Sequence, residues 1–154
     1  MENFSIHYSG WEPEEQKLRE ALCTLGNGYF ATRGAAEESK DDQYNYPGTY
    51  LAGGYNRAKS NISDKETENE DLVNFPNWLC LNFRPKEGDW LNLEMYQVLN
   101  YEQHLDMKNG ILIRLLEVKD KEGRRTQIKS RRFVSMRDMH NAAFEWTLIP
   151  LNWS

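Results

Sequence analysis

From Gly110 to Ile149 the chain alternates with a period of two, and this constrains the fold more than any other feature. Ile111 to Lys119 reads as a strand, Asp120-Lys121-Glu122-Gly123 as a hairpin turn, and Arg124 to Ser135 as the return strand. A connection through Arg137-Asp138-Met139-His140 leads to a third strand. There Ala142, Phe144, Trp146 and Leu148 share one face, and Ala143, Glu145, Thr147 and Ile149 the other. Three consecutive antiparallel strands predict a meander within a β-sandwich. The sequence holds no heptads and no internal repeat.

The first half is less regular. Trp11 precedes Glu12-Pro13-Glu14-Glu15, which places proline and acidic residues at a helix start. A short helix over about 13–21 is expected, with Trp11, Leu18, Leu22 and Leu25 along one face. It runs into LGNGYFATRG (Leu25–Gly34), whose glycine spacing G-x-G-x-x-x-x-x-G matches neither phosphate-binding fingerprint. The run opens a β-prone segment rather than a helix, so it reads as a strand corner. Residues 35–47 read as a polar loop, 49–55 as a strand with a Gly-Gly bend, and 56–70 as an exposed, mobile loop without chemistry. Strands are expected at 78–83 and 90–98, separated by a turn from Pro85 to Asp89.

The 154 residues suit one domain, and a net charge of −5 gives no electrostatic case for nucleic acid. Lys129, Arg131 and Arg132 read as a solvated strand face. Cys23 and Cys80 sit in apolar stretches and read as buried free thiols, which fits a reducing compartment. No secretory signal or membrane-length apolar run is present, so a soluble, cytoplasmic protein is expected. The acidic pairs Glu14-Glu15, Glu37-Glu38 and Asp41-Asp42 read as solvated surface, and His7, His104 and His140 lack metal-ligand spacing. No nucleophile elbow occurs. The five tryptophans could stack on sugars, although filling the space between sheets is their commoner use. No catalytic residue, metal ligand or cofactor site emerges.

An ordered set of motifs nevertheless resembles one family. LGNGYFATRG, YPGTYLAGGYN (Tyr46–Asn56), DLVNFPNW (Asp71–Trp78), QHLDMKNGILIR (Gln103–Arg114), SRRFVSMRDMH (Ser130–His140) and TLIPLNWS (Thr147–Ser154) occur in this order. Together they resemble the N-terminal region of glycoside hydrolase family 65, the maltose, trehalose and kojibiose phosphorylases and their hydrolase relatives. One departure is Ala31, where the family has glycine. The resemblance implies a mainly β fold, an antiparallel sandwich of the galactose-mutarotase-like supersandwich kind, incomplete in this chain. Residues 1–154 would form part of the N-terminal sandwich domain, with the catalytic (α/α)6 barrel absent from the chain.

The parent enzyme implied is an inverting disaccharide phosphorylase or hydrolase acting on α-glucosidic bonds, with inorganic phosphate as co-substrate in a phosphorylase. This chain alone would be inactive. Its implied partners are the catalytic barrel and, in the full-length protein, a second copy in a homodimer. Asn27, Arg33, Asn77 and Trp78 are the candidate structural or site-rim residues. The alternatives are a stand-alone carbohydrate-binding module, using Asn27, Arg33, Asn77 and exposed aromatics, or a structural or truncated remnant.

Overall fold

The alternation from Gly110 onward becomes the middle of a five-stranded antiparallel sheet. A computed structural model describes residues 4–62 and 65–154. Among these, the elements in chain order are β1 (Ser5–Ser9), a 3-10 turn (Pro13–Glu15), α1 (Gln16–Leu22), β2 (Leu25–Gly26), β3 (Phe30–Thr32) and β4 (Thr49–Leu51). They continue with β5 (Tyr55–Ile62), β6 (Lys65–Leu72), β7 (Gln97–Asp106), β8 (Ile111–Lys119), β9 (Arg125–Val134) and β10 (Ala142–Pro150). The main sheet runs β1-β7-β8-β9-β10, β2-β3-β4 form a small sheet, and β5-β6 form a separate hairpin. The antiparallel β class and the β8–β9–β10 meander are as expected. No helix among the described residues is long and apolar enough to cross a membrane.

One face of the main sheet is covered and the other is open. On β8 the covered face takes Leu112, Leu116 and Val118, and on β9 it takes Ile128 and Val134. Two apolar clusters form there. The first joins Tyr101, Leu116, Val118 and Ile128 to Phe83, Leu91 and Tyr96 from the irregular 77–96 segment. The second joins Leu105, Leu112 and Val134 to Cys23 and Leu25, with Phe30 packed against it, so the small sheet lies over one end of the large one. Burial of this kind stabilises by roughly 25 cal/mol per Å² of apolar surface. On the open face Ile113 and Phe133 remain 41% and 46% exposed.

Several expectations are corrected. Of the loop expected over 56–70, residues 56–62 and 65–70 instead form most of the β5–β6 hairpin, in full register from Tyr55↔Leu72 to Ile62↔Lys65, and residues 63 and 64 lie outside the described residues. All eight β6 residues are exposed, so no apolar pattern betrays the strand. Cross-strand ion pairs take the place of apolar contacts: Arg57 to Glu70 at 2.6 Å and Lys59 to Glu66 at 2.6 Å.

Strands are absent at 78–83 and from Trp90 to Tyr96, because asparagine side chains capture the backbone donors a ladder would need. Asn77 Oδ1 accepts from Leu79 N–H, Asn82 Oδ1 from Phe83 N–H, and Asn92 Oδ1 from Glu94 N–H. The strand expected at 90–98 overlaps β7 only at Gln97 and Val98; β1 and the rest of β7, from Leu99 to Asp106, carry no sequence expectation. Helix α1 forms where expected, but its buried residues are Gln16, Arg19 and Glu20, while Leu18 and Leu22 are exposed. Arg19 reaches inward to donate to Gly10 O at 2.8 Å and lies over the Tyr8 ring. Cys23 is buried, but Cys80 is exposed.

Gly34 marks the tightest approach. A Cβ built there would lie 2.5 Å from Cys23 Cβ, so the segment after LGNGYFATRG can cross α1's end only with glycine. Gly34→Ala is therefore expected to destabilise by at least about 2 kcal/mol, and Leu116→Ala by about 2–5 kcal/mol. Ile113→Ala, on the open face, should stay within about 1 kcal/mol. Urea unfolding midpoints check all three.

Candidate functional site

The four residues singled out in the sequence are placed in two groups. Asn27 is a clamp. Its Nδ2 donates to Ser135 O at 2.7 Å and Met139 O at 3.1 Å, and its Oδ1 accepts from Tyr29 and Phe30 N–H. It thus ties the β2–β3 turn to the β9–β10 connection, where Tyr29 also meets His140 edge-on at 4.7 Å. Trp78 belongs to the same neighbourhood, donating to Thr32 Oγ1 at 3.1 Å and packing edge-on against Phe30 and Phe144. Asn77 turns the backbone just before it.

Arg33 stands apart, partly buried against α1. It donates to Lys17 O at 2.7 Å, lies over the Tyr46 ring and sits 3.9 Å from Glu20. Glu20 is almost fully buried and accepts from Tyr46 N–H at 2.8 Å. Burial pushes its carboxyl up to about 7, against the partial opposition of that hydrogen bond and of Arg33.

A charged cluster that sequence reasoning missed occupies the middle of the covered face. Arg114 Nη1 donates to Glu37 Oε2 at 2.9 Å, and both terminal nitrogens grip Glu38 at 2.9 and 2.7 Å. Arg132 Nη1 reaches Glu37 Oε1 at 3.4 Å, and its Nη2 donates to Ala35 O at 2.7 Å. Gln103, beside Arg114 in the sheet, donates to Gly34 O at 2.8 Å.

Two guanidinium groups therefore face two carboxylates, all four buried, contrary to the solvated roles expected for Glu37-Glu38 and Arg132. Burial works against the Arg114 charge, but Glu38 and Glu37 outweigh it and hold the group above its ordinary range. Arg132 is pushed the other way, because burial outweighs Glu37. A signal existed: Arg114 and Arg132 fall in phase with Leu112, Leu116, Ile128 and Val134 on the apolar side of their strands.

Above this cluster opens a cleft of about 430 Å³ between the 38–45 loop and the 82–94 segment. Trp11, Glu38, Tyr44, Trp90 and Asn92 are among its lining residues, whereas Asn27, Arg33, Asn77 and Trp78 are not. Cys23 forms no part of it, and burial pushes that thiol up to about 11, which keeps it protonated and inert. Among the described residues no group of three or more His, Cys, Asp or Glu is placed to hold a metal ion.

Comparison with known proteins then decides the family. The model for glycosyl hydrolase family 65, N-terminal domain, matches residues 6–154. The chain belongs to this family. It is 40% identical over 151 residues to an uncharacterised glycosyl hydrolase of Mycobacterium tuberculosis, covering 98% of this chain and 11% of that protein. It is 37% identical to a kojibiose phosphorylase of Caldanaerobacter subterraneus subsp. tengcongensis, covering 87% of this chain and 16% of the relative. A solved structure assigned as a kojibiose phosphorylase from human microbiome superposes with a TM-score of 0.86 at 22% identity, over 97% of this chain and 20% of that one, and shows the shared fold. The family 65 domain described here thus spans only about a tenth to a fifth of the relatives it matches.

Two measurements probe the buried charges. Glu37→Ala leaves two buried guanidinium groups short of counter-charge and is expected to cost about 3–5 kcal/mol, while Glu14→Ala, on the surface, should cost under about 0.5 kcal/mol; urea titration separates them. Glu20 has a folded value of about 7 against an ordinary 4.5. Its stabilising contribution is therefore full below pH 4.5 and is lost as pH rises through 7. Relative to Glu20→Gln, the wild type should lose up to about 2–3 kcal/mol between pH 4.5 and 8, read from unfolding free energies across that range.

Proposed function

We propose that this domain is the non-catalytic N-terminal sandwich portion of an enzyme that cleaves α-glucosidic disaccharides with inversion. The family match over residues 6–154 carries the reading, and phosphorylases recur among the relatives. In a phosphorylase, inorganic phosphate attacks the anomeric carbon; in a hydrolase, water does. A protonated carboxylic acid on a following (α/α)6 barrel assists the leaving oxygen. The state of this chain's buried carboxylates supports a non-catalytic role. Glu37, Glu38 and Asp120 are each bound to arginine, and Glu20 lines neither the cleft nor the small cavity beside Arg114.

The open face of the main sheet, with Ile113 and Phe133, supports a sandwich completed by further sequence. The domain's partners are then the barrel and a second copy of the enzyme in a homodimer. Two free cysteines suit a cytoplasmic setting.

The test is phosphorolysis of maltose, kojibiose and trehalose, following release of glucose 1-phosphate. The 154-residue chain alone should give none. Joining it to the barrel of a family 65 phosphorylase stripped of its own N-terminal domain should restore turnover. Turnover by the chain alone, or a joined protein that is soluble yet inactive, overturns the reading.

A further inference from the structure

We propose that the cleft between the 38–45 loop and the 82–94 segment is a binding site for a neutral sugar, with Trp90 and Trp11 as its apolar surfaces and the Glu38 carboxylate as its polar anchor. The inference stands on the cleft's own chemistry and does not depend on the phosphorylase reading.

Volume and lining set the ligand class. About 430 Å³ falls within the range of small-molecule sites. Sugars present apolar C–H faces ringed by hydroxyls, and they are held by aromatic faces beside hydrogen-bonding groups with spare capacity. Both kinds occur here. Trp90 lines the cleft and is 56% exposed, and Arg84 lies over its ring at 5.2 Å, which holds the ring in place. Trp11 is backed by Tyr101 at 5.4 Å between ring centres, which fixes its ring against the core.

Glu38 is the decisive group. Its side chain is only 6% exposed, yet it lines the cleft. Each carboxylate oxygen accepts from one Arg114 nitrogen, at 2.9 and 2.7 Å. A carboxylate offers roughly four acceptor positions, so about two remain for sugar hydroxyls. Arg114 holds the plane of the carboxylate rigid, so little ordering is left for the ligand to impose. Asn92, an exposed residue, adds a donor: its Oδ1 is occupied by Glu94 N–H, while its Nδ2 makes no hydrogen bond among the described residues.

Charge excludes the main competitor. Glu38 is already matched by Arg114, so the charges left in the lining are Asp42 and Glu94 against Lys40 alone. A phosphate or phosphorylated sugar would meet net negative potential, whereas a neutral polyol would not.

Titration of the protein with glucose, maltose and trehalose, followed by tryptophan fluorescence and calorimetry, tests the proposal. At least one sugar should bind saturably. Trp90→Ala should weaken that binding tenfold or more, and Asn92→Ala several-fold. Both side chains are exposed, so circular dichroism should show each variant folded. Inorganic phosphate at equal concentration should not compete. Absence of saturable binding by all three sugars, unchanged affinity in folded Trp90→Ala, or displacement by phosphate overturns the assignment.

Discussion

The buried meeting of Arg114 and Arg132 with Glu37 and Glu38 is the constraint on which this domain turns. An irregular backbone segment cannot lie against an apolar sheet unless its carbonyls find donors. Residues 33–38 lie there because the sheet supplies those donors from side chains: Gln103 to Gly34 O, and Arg132 to Arg33 O and Ala35 O. Bringing charged donors inside carries a desolvation penalty of several kcal/mol per ion, and the two glutamates offset it. The cluster therefore contributes placement more than net stability. It fixes where the 38–45 loop begins, and so one wall of the cleft.

Much of the fold could be read from the sequence, for identifiable reasons. Strands β8 to β10 alternate apolar and polar residues around one clear turn, so period and punctuation agree. The β5–β6 hairpin could not be read this way, since both its faces are solvated and cross-strand ion pairs hold it. Asn77, Asn82 and Asn92 defeated the strands expected around them, because a side-chain acceptor takes the backbone donors before a neighbouring strand can. The charged cluster was hidden because Glu37 and Glu38 are adjacent in a polar segment with the composition of a solvated loop. In-phase arginines on two apolar strand faces pointed to it, but only pairing across nearly eighty residues shows what they meet.

The candidate site divided along similar lines. Asn27 and Arg33 are polar groups in a corner-forming stretch and each ties distant backbone carbonyls, whereas Trp78, from a separate segment, bonds the Thr32 hydroxyl and packs on Phe30 and Phe144. Their hydrogen bonds are largely spent on the protein itself, which explains their prominence without a ligand. The cleft residues were less visible because they come from three separated segments of ordinary composition. Only folding brings Trp11, Glu38 and Trp90 to one opening.

The sequence separations within the charged cluster have a consequence for how the chain reaches this state. Glu37 lies 77 positions before Arg114 and 95 before Arg132. The β8–β9 hairpin closes over a few residues, whereas seating the 33–38 segment needs the meander already assembled. During synthesis the two glutamates leave the ribosome first and must wait for both arginines. The N-terminal third is thus committed late although it is made early, and the meander acts as the template on which it settles.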